Sequence, residues 1–298
     1  MAAFLCSPYA ADMASDATVN LSAEKAKRTV GATPIATQVT IMNSWSAKQY
    51  SAFENERTRP VRDLVAALPN LLVKRAVDLG CGPGNSTEVL ASRYPDAEIS
   101  GMDSSQDMID AARKRLPALS FELADIATWN PPQRYDVILA NAALQWVPDH
   151  ETLYPALVAK LAPGGSLAVQ TPDNLEEPAH RLARQVAGEA PWEAKIGGVK
   201  HPPRHRAAWY YELLKPHCGT LDVWCTTYHH PLAGAAAVVE WFKGTALRPY
   251  LDKLDAAEQA SFLARYQSLI EQAYPALADG TVLLPFPRLF IVAGSRQA

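Results

Sequence analysis

Between Arg75 and Thr171 the chain repeats one pattern, a short apolar run that meets a polar residue at its end and then gives way to a new segment. The apolar runs are Ala76–Leu79, Ala97–Met102, Leu119–Leu123 and Tyr135–Ala140, and the polar residues at their ends are Asp78, Asp103, Asp125 and Asn141. Helical stretches over Gly84–Tyr94, Ser105–Leu116 and Glu151–Leu161 stop at Pro95, Pro117 and Pro163-Gly164-Gly165, the residues that end helices by removing a donor or admitting a left-handed turn. A further strand is expected over Ser166–Thr171. Alternation at this rhythm predicts crossover units and a mostly parallel sheet covered by helices on both faces. Upstream, Tyr50, Phe53 and Arg57 recur at helical spacing within Ser46–Leu68, with Pro60 expected to break that helix in two. Downstream, helical patterns over 178–190, 204–216, 235–250 and 255–274 surround two strand-like runs, Leu221–His229 and Val282–Ala293.

The turn after the first run reads Asp78-Leu79-Gly80-Cys81-Gly82-Pro83-Gly84-Asn85-Ser86-Thr87. Alternate glycines let the backbone turn sharply and let a ligand approach bare main chain, while the helix that follows offers free N–H groups. A dinucleotide fingerprint asks for glycine where Asn85 stands, and a phosphate-binding loop asks for a Lys-Ser/Thr pair that is missing. The turn carries no Lys or Arg, and Asp78 opens it. A carboxylate there repels a pyrophosphate and suits an ammonium or sulfonium group. The ligand is therefore expected to be a nucleoside with a cationic tail. Asp103, at the end of the next strand, is placed to accept both ribose hydroxyls, Asp125 to accept from an exocyclic amine, and Asn141 to face the tail.

Composition narrows the partners. Twenty-eight basic and 31 acidic residues leave a net charge of −3, against the basic surplus that nucleic-acid binding favours. No run of 18 apolar residues is present, so no membrane partner is expected. Cys6, Cys81, Cys218 and Cys225 read as reduced thiols, consistent with the cytoplasm. Residues 1–42 are rich in Ala, Ser and Thr and read as a disordered or targeting extension ahead of one domain at 43–298.

Asp78–Thr87, Gly101–Ser104, Ala124-Asp125 and Leu161–Gly165 resemble class I S-adenosylmethionine-dependent methyltransferases. More selective runs narrow the resemblance to the trans-aconitate 2-methyltransferase family. These are Gln145-Trp146-Val147-Pro148-Asp149-His150, Lys243-Gly244-Thr245-Ala246-Leu247-Arg248-Pro249 and Pro285-Phe286-Pro287-Arg288, joined by Trp45, Tyr228-His229-His230 and Glu177-Pro178-Ala179-His180. The likeness covers about residues 43–298; Ser46-Ala47 departs from the family's frequent Asn-Pro. It implies a Rossmann-like, seven-stranded sheet whose last strand runs antiparallel. A cofactor core at 43–175 then precedes a helical cap and the final strands at 176–298. It implies S-adenosylmethionine as cofactor and S-adenosylhomocysteine as product. Cofactor contacts carried over onto matching positions are Arg59, Asp78, Gly80, Cys81, Gly82, Asn85, Asp103, Ser104, Met108, Asp125, Ile126, Asn141 and Trp146.

The acceptor implied is one carboxylate of a small polycarboxylic acid. A carboxylic acid is ionised at neutral pH without help, so ester formation needs placement and counter-charges and no general base. No Ser-His-Asp or metal-ligand spacing is apparent. Positioning candidates are Trp146, His180, Tyr228, His229, Arg248 and Arg288, with Arg204, Arg206, His230 and Lys243 behind them. For Lys200–Arg206 the competing reading is a solvated basic loop. Two other functions remain open at this level: methylation of another acid or of a hydroxyl group, and a binding module that senses the cofactor without turnover.

Overall fold

The computed structural model describes residues 54–69, 72–200 and 204–296, and within 54–57 the backbone alone. The expectations for residues 1–42, Trp45, Tyr50, Phe53 and the first part of the N-terminal helix lie outside the described residues, as does the side chain of Arg57.

Seven strands form one sheet: β1 (Arg75–Leu79), β2 (Glu98–Asp103), β3 (Ser120–Leu123), β4 (Tyr135–Asn141), β5 (Leu161–Pro172), β6 (Thr220–Leu232) and β7 (Val282–Gly294). Their order is β3-β2-β1-β4-β5-β7-β6. Strands β1 to β5 pair in parallel, and β7 is antiparallel to both β5 and β6. The expected antiparallel last strand is therefore present. The chain runs outward from β1 to β3, then returns to place β4 on the other side of β1. The crevice at that reversal, beyond the carboxyl ends of β1 and β4, is where open α/β sheets bind ligands.

Side chains alternate across the sheet, and two cores result. Ala76, Val137, Leu139, Ala168, Phe290 and Val292 face α1 (Glu54–Ala66), which buries Val61, Leu64 and Val65 against them. Val77, Leu79, Ile138, Leu167, Val169 and Ile291 face the opposite way. There α4 (His150–Ala159) covers them with Tyr154 and Leu157, and α7 (Ala207–Leu214) with Tyr210 and Leu214. Helices α2 (Asn85–Arg93) and α3 (Gln106–Arg115) complete the first half.

Three expectations change. Pro60 does not break the helix but sits inside α1; the lost hydrogen bond, a cost of about 3 kcal/mol, is offset by the apolar face buried on either side of it. Leu161 leaves α4 and begins β5, where the register with β4 shifts between Tyr135 and Val137 and the Pro163-Gly164-Gly165 run forms an irregularity inside the strand. The 235–250 stretch is two helices, α8 (Gly234–Lys243) and α9 (Arg248–Leu251). The remaining cap helices are α5 (Pro178–Ala187), the short α6 (Glu193–Ile196), which the sequence reading missed, and α10 (Ala256–Ala273).

Only residues 288–294 of β7 pair with β5, whereas β6 and β7 pair along 220–232 and 282–294. The β6–β7 ribbon thus projects past the carboxyl edge of the parallel sheet. Leu232, Val282, Leu284 and Phe286 on that ribbon join Val238, Trp241, Phe242, Phe262 and Tyr266 in a third core, that of the cap.

Candidate active site

The glycine turn lies where the sequence placed it, and its glycines do separate jobs. Gly80 has φ 70°, and a Cβ built on it would lie 2.4 Å from the Ala143 methyl and 3.6 Å from Ile126. Bare main chain is what lets the tips of β1 and β4 close together. Gly82 has φ 53°, and a Cβ there meets nothing within 4 Å; it borders open space on the crevice side. Gly84, φ 91°, caps α2 and packs on Ala112 of α3.

Asp78 is 0% exposed. It shares a strand face with Ala76, the face that α2 covers, so its carboxylate points under the first turn of that helix. Oδ2 accepts from Ser86 Oγ at 2.6 Å and Thr87 Oγ1 at 2.7 Å, and Oδ1 has no partner among the described residues. Burial pushes its pKa up to about 6 against those two hydrogen bonds. The two hydrogen bonds occupy one of its two carboxylate oxygens. Its visible work is to tie the glycine turn to the strand.

Asp103 accepts from Gly82 N at 3.0 Å with Oδ2 and from Ser105 N at 2.9 Å with Oδ1. Each oxygen keeps a lone pair, so the carboxylate is fixed in place and still able to accept two hydroxyls. Burial raises its pKa. Asp125 is exposed and caps a short 3-10 turn (Ile126–Thr128) through Ala127 N at 2.9 Å. Ile126 is buried at that turn and Met108 is buried on α3, while Ser104 is exposed beside Asp103. Asn85 opens α2 with its Oδ1 buried and unmatched. The Cys81 side chain packs with Ile109, Ala112 and Phe121, and burial pushes its thiol pKa far up. Cys81 offers a ligand main chain alone.

A cavity of about 150 Å³ opens at the tip of β4. Asn141, Gln145, Trp146, His180, Arg204 and Arg288 bring it polar groups, and Trp241, Phe242 and Phe286 wall it with rings. Asn141 Oδ1 is buried without a hydrogen bond. Ala142, next along, holds φ 53°, a left-handed conformation that costs a non-glycine residue about 1–2 kcal/mol. Gln145 Nε2 donates to its carbonyl at 2.7 Å and fixes that strained bend. Trp146 is 48% exposed at the mouth.

Arg288 leaves β7 where the ribbon parts from β5, is 4% exposed, and donates to Gln170 Oε1 at 2.9 Å. His180 reaches the cavity from α5, edge-on to Phe242 at 5.2 Å. Arg204, for which the sequence allows either a counter-charge or a solvated loop, lines the cavity and donates to Gln145 O at 3.0 Å. The other positioning candidates stand elsewhere. Tyr228 is buried under α1, where its hydroxyl donates to Asp63 Oδ2 at 2.6 Å and Arg59 lies over its ring at 5.4 Å. Arg59 is thereby drawn to the ring. Arg248 sits 3.9 Å from Asp252 on α9 and does not line the cavity. His229 faces outward, whereas His230, one step along the strand, is buried and stacked on Trp241 at 4.7 Å.

A support behind the cavity went unread in the sequence. His150 lies 2.8 Å from Leu144 O and 2.7 Å from the Tyr210 hydroxyl. A carbonyl only accepts, so Nε2 carries the proton and Nδ1 takes the Tyr210 hydrogen. The pair joins the Leu144–Trp146 wall to α7. Among the described residues no cluster of metal-ligating side chains occurs, and no helix is long and apolar enough to cross a membrane.

Residues 76–165 match a family described as a methyltransferase domain. The trans-aconitate 2-methyltransferase of Variovorax paradoxus (strain S110) is 55% identical over 258 residues, covering 85% of this chain and 98% of the relative. That of Methylobacterium nodulans is 55% identical over 256 residues, with the same coverage of 85% and 98%. Among solved structures, the YcgJ protein of Bacillus subtilis superposes with a TM-score of 0.54 at 11% identity, over 80% of this chain and 99% of its own, a likeness of fold.

Proposed function

The chain belongs to the trans-aconitate 2-methyltransferase family, and from there we propose that it methylates one carboxylate of trans-aconitate to give a monomethyl ester. The observation that carries the reading is the pairing of an acid-flanked glycine crevice with an adjoining small cavity that holds two arginines. When bound, S-adenosylmethionine supplies an electrophilic methyl group on sulfur and leaves as S-adenosylhomocysteine. The residues fit that cofactor: open space at Gly82, a fixed Asp103 with spare lone pairs, and an unmatched Asn141 Oδ1 for a donor of the tail.

The acceptor carboxylate needs no proton removed. Arg288 and His180 hold the acid from β7 and α5. Trp241, Phe242 and Phe286 exclude water, and the site's contribution is alignment, a source of up to about 7–11 kcal/mol of barrier lowering. Residues 43–175 hold the cofactor and 176–298 the acid. The enzyme works in the cytoplasm, in keeping with the free thiols of Cys81, Cys218 and Cys225.

The test uses the full-length protein with methyl-labelled S-adenosylmethionine and a panel of acids. The expected product from trans-aconitate releases methanol in alkali. An alkali-stable product means a hydroxyl acceptor. Cofactor binding in calorimetry with no product from any acceptor means a sensor, and either result overturns the proposal.

A further inference from the structure

Resting on that reading, we infer that Arg204 receives one of the two carboxylates that are not methylated, and so sets the preference for a tricarboxylate over a dicarboxylate. Arg204 lines the cavity from the loop that leads into α7, on the opposite face of the sheet from the core beneath Arg288. Its Nη1 is spent on Gln145 O at 3.0 Å, and its Nε is buried with no hydrogen-bond partner. No carboxylate among the described residues lies within ion-pair distance of it; the charge of Asp173 acts on it from further away. A guanidinium partly withdrawn from water, its Nε buried and no counter-ion at hand, is unfavourable by itself, and burial accordingly lowers its pKa. An anionic ligand supplies what the protein withholds.

The charge count agrees. A tricarboxylate brings three negative groups; one of them faces the sulfonium methyl group, and two remain. The cavity offers two guanidinium groups, Arg204 and Arg288, each suited to a planar carboxylate. Gln145 helps to place the first, since its carbonyl holds the guanidinium while its side-chain amide holds the Ala142 bend.

Mesaconate, itaconate and glutaconate each lack a different one of the three carboxylates of trans-aconitate, so together they locate the contact. Arg204→Gln is expected to lower kcat/KM for trans-aconitate at least 30-fold, chiefly through KM. Trans-aconitate binding to the S-adenosylhomocysteine-loaded protein should weaken by a similar factor in calorimetry. Affinity for S-adenosylhomocysteine itself should stay within twofold, which shows that the variant is folded. For one of the three dicarboxylates the same substitution should cost less than threefold, because its partner group is already gone. Arg204→Lys, which keeps the charge, should recover part of the loss. Equal penalties on trans-aconitate and on every dicarboxylate that still carries the acceptor group, or no penalty on any, overturn the assignment while leaving the methyltransferase reading in place. Failure of the unaltered enzyme to methylate trans-aconitate or any of the dicarboxylates overturns that reading and this assignment with it.

Discussion

Gly80 and Gly82 lie two residues apart, both with positive φ, and predict opposite phenotypes. Gly82→Ala meets open space, so it costs the fold only the left-handed strain of about 1–2 kcal/mol while placing a methyl group where the cofactor approaches. Its urea midpoint should fall slightly and its S-adenosylmethionine affinity at least tenfold. Gly80→Ala drives a methyl group into Ala143 and should cost at least about 3 kcal/mol of stability, strain and overpacking together, with binding lost as a consequence. Asp103→Ala removes a charge-assisted acceptor, a contact worth about 1.5–3 kcal/mol, and should raise the cofactor Kd about tenfold or more by calorimetry; unchanged affinity would take Asp103 out of the site. At this scale the sequence was informative about the backbone at Gly80 and Gly82, because alternate glycines after an apolar run mark a turn that needs positive φ, whereas an acid at a strand end such as Asp103 is common and says less by itself. It was uninformative about Arg204, because a guanidinium in a basic loop reads the same whether it ends in water or against Gln145. It gave no direction for the side chains of Asp78 and Cys81, since which way a side chain points near a strand end depends on the helix packed beside it.

Among the elements, α1 depends on a residue of β6 that lies 165 positions further on. The Tyr228 hydroxyl donates to Asp63, and Arg59 covers the same ring. Tyr228→Phe keeps the ring and removes the bond, and because Asp63 is exposed the loss should be modest, about 1 kcal/mol. Hydrogen exchange should locate the effect: faster exchange in Val61–Ala66, none in β1 or β4. An equal effect throughout the sheet would mean that Tyr228 supports the whole core and not the helix. The order and kind of strands were legible because parallel strands buried on both faces are written as unbroken apolar runs. The phase of β6 was not. An edge strand alternates polar and apolar residues weakly, so nothing in Tyr228-His229-His230 told which histidine turned inward. Pro60 misled for a related reason: propensity is a local cost, and the face that α1 buries against β1, β4 and β5 outweighs it.

Over the whole molecule, buried ionisable groups pull stability in opposite directions with pH. Asp78 titrates near 6 in the fold and 3.8 in the open chain. The folded state therefore holds the proton more tightly, and the stability this group gives at low pH is lost as pH rises from about 4 to 6. His230 does the reverse. Its folded pKa is pushed down to about 4 from 6.5 by burial, Arg288 and Arg59, so its contribution is complete above 6.5 and is lost as pH falls toward 4. Each effect is of order 3 kcal/mol; Asp103 acts in the sense of Asp78, and His150 in the sense of His230. Urea unfolding between pH 4.5 and 6.5 should then show little slope from these groups in the native protein. His230→Gln should become less stable with rising pH across that window relative to the native protein, and Asp78→Asn more stable. A constant offset in either variant would show that its group does not titrate there. The cap, meanwhile, rests on a core of its own, raised on the β6–β7 ribbon, while the donor crevice rests on the two cores of the sheet. The cavity is therefore walled from both sides, by Trp241 and Phe242 of the cap and by Gln145 and Arg204 beside elements packed on the sheet, so rewriting the cap alone alters half of its wall and leaves the other half standing.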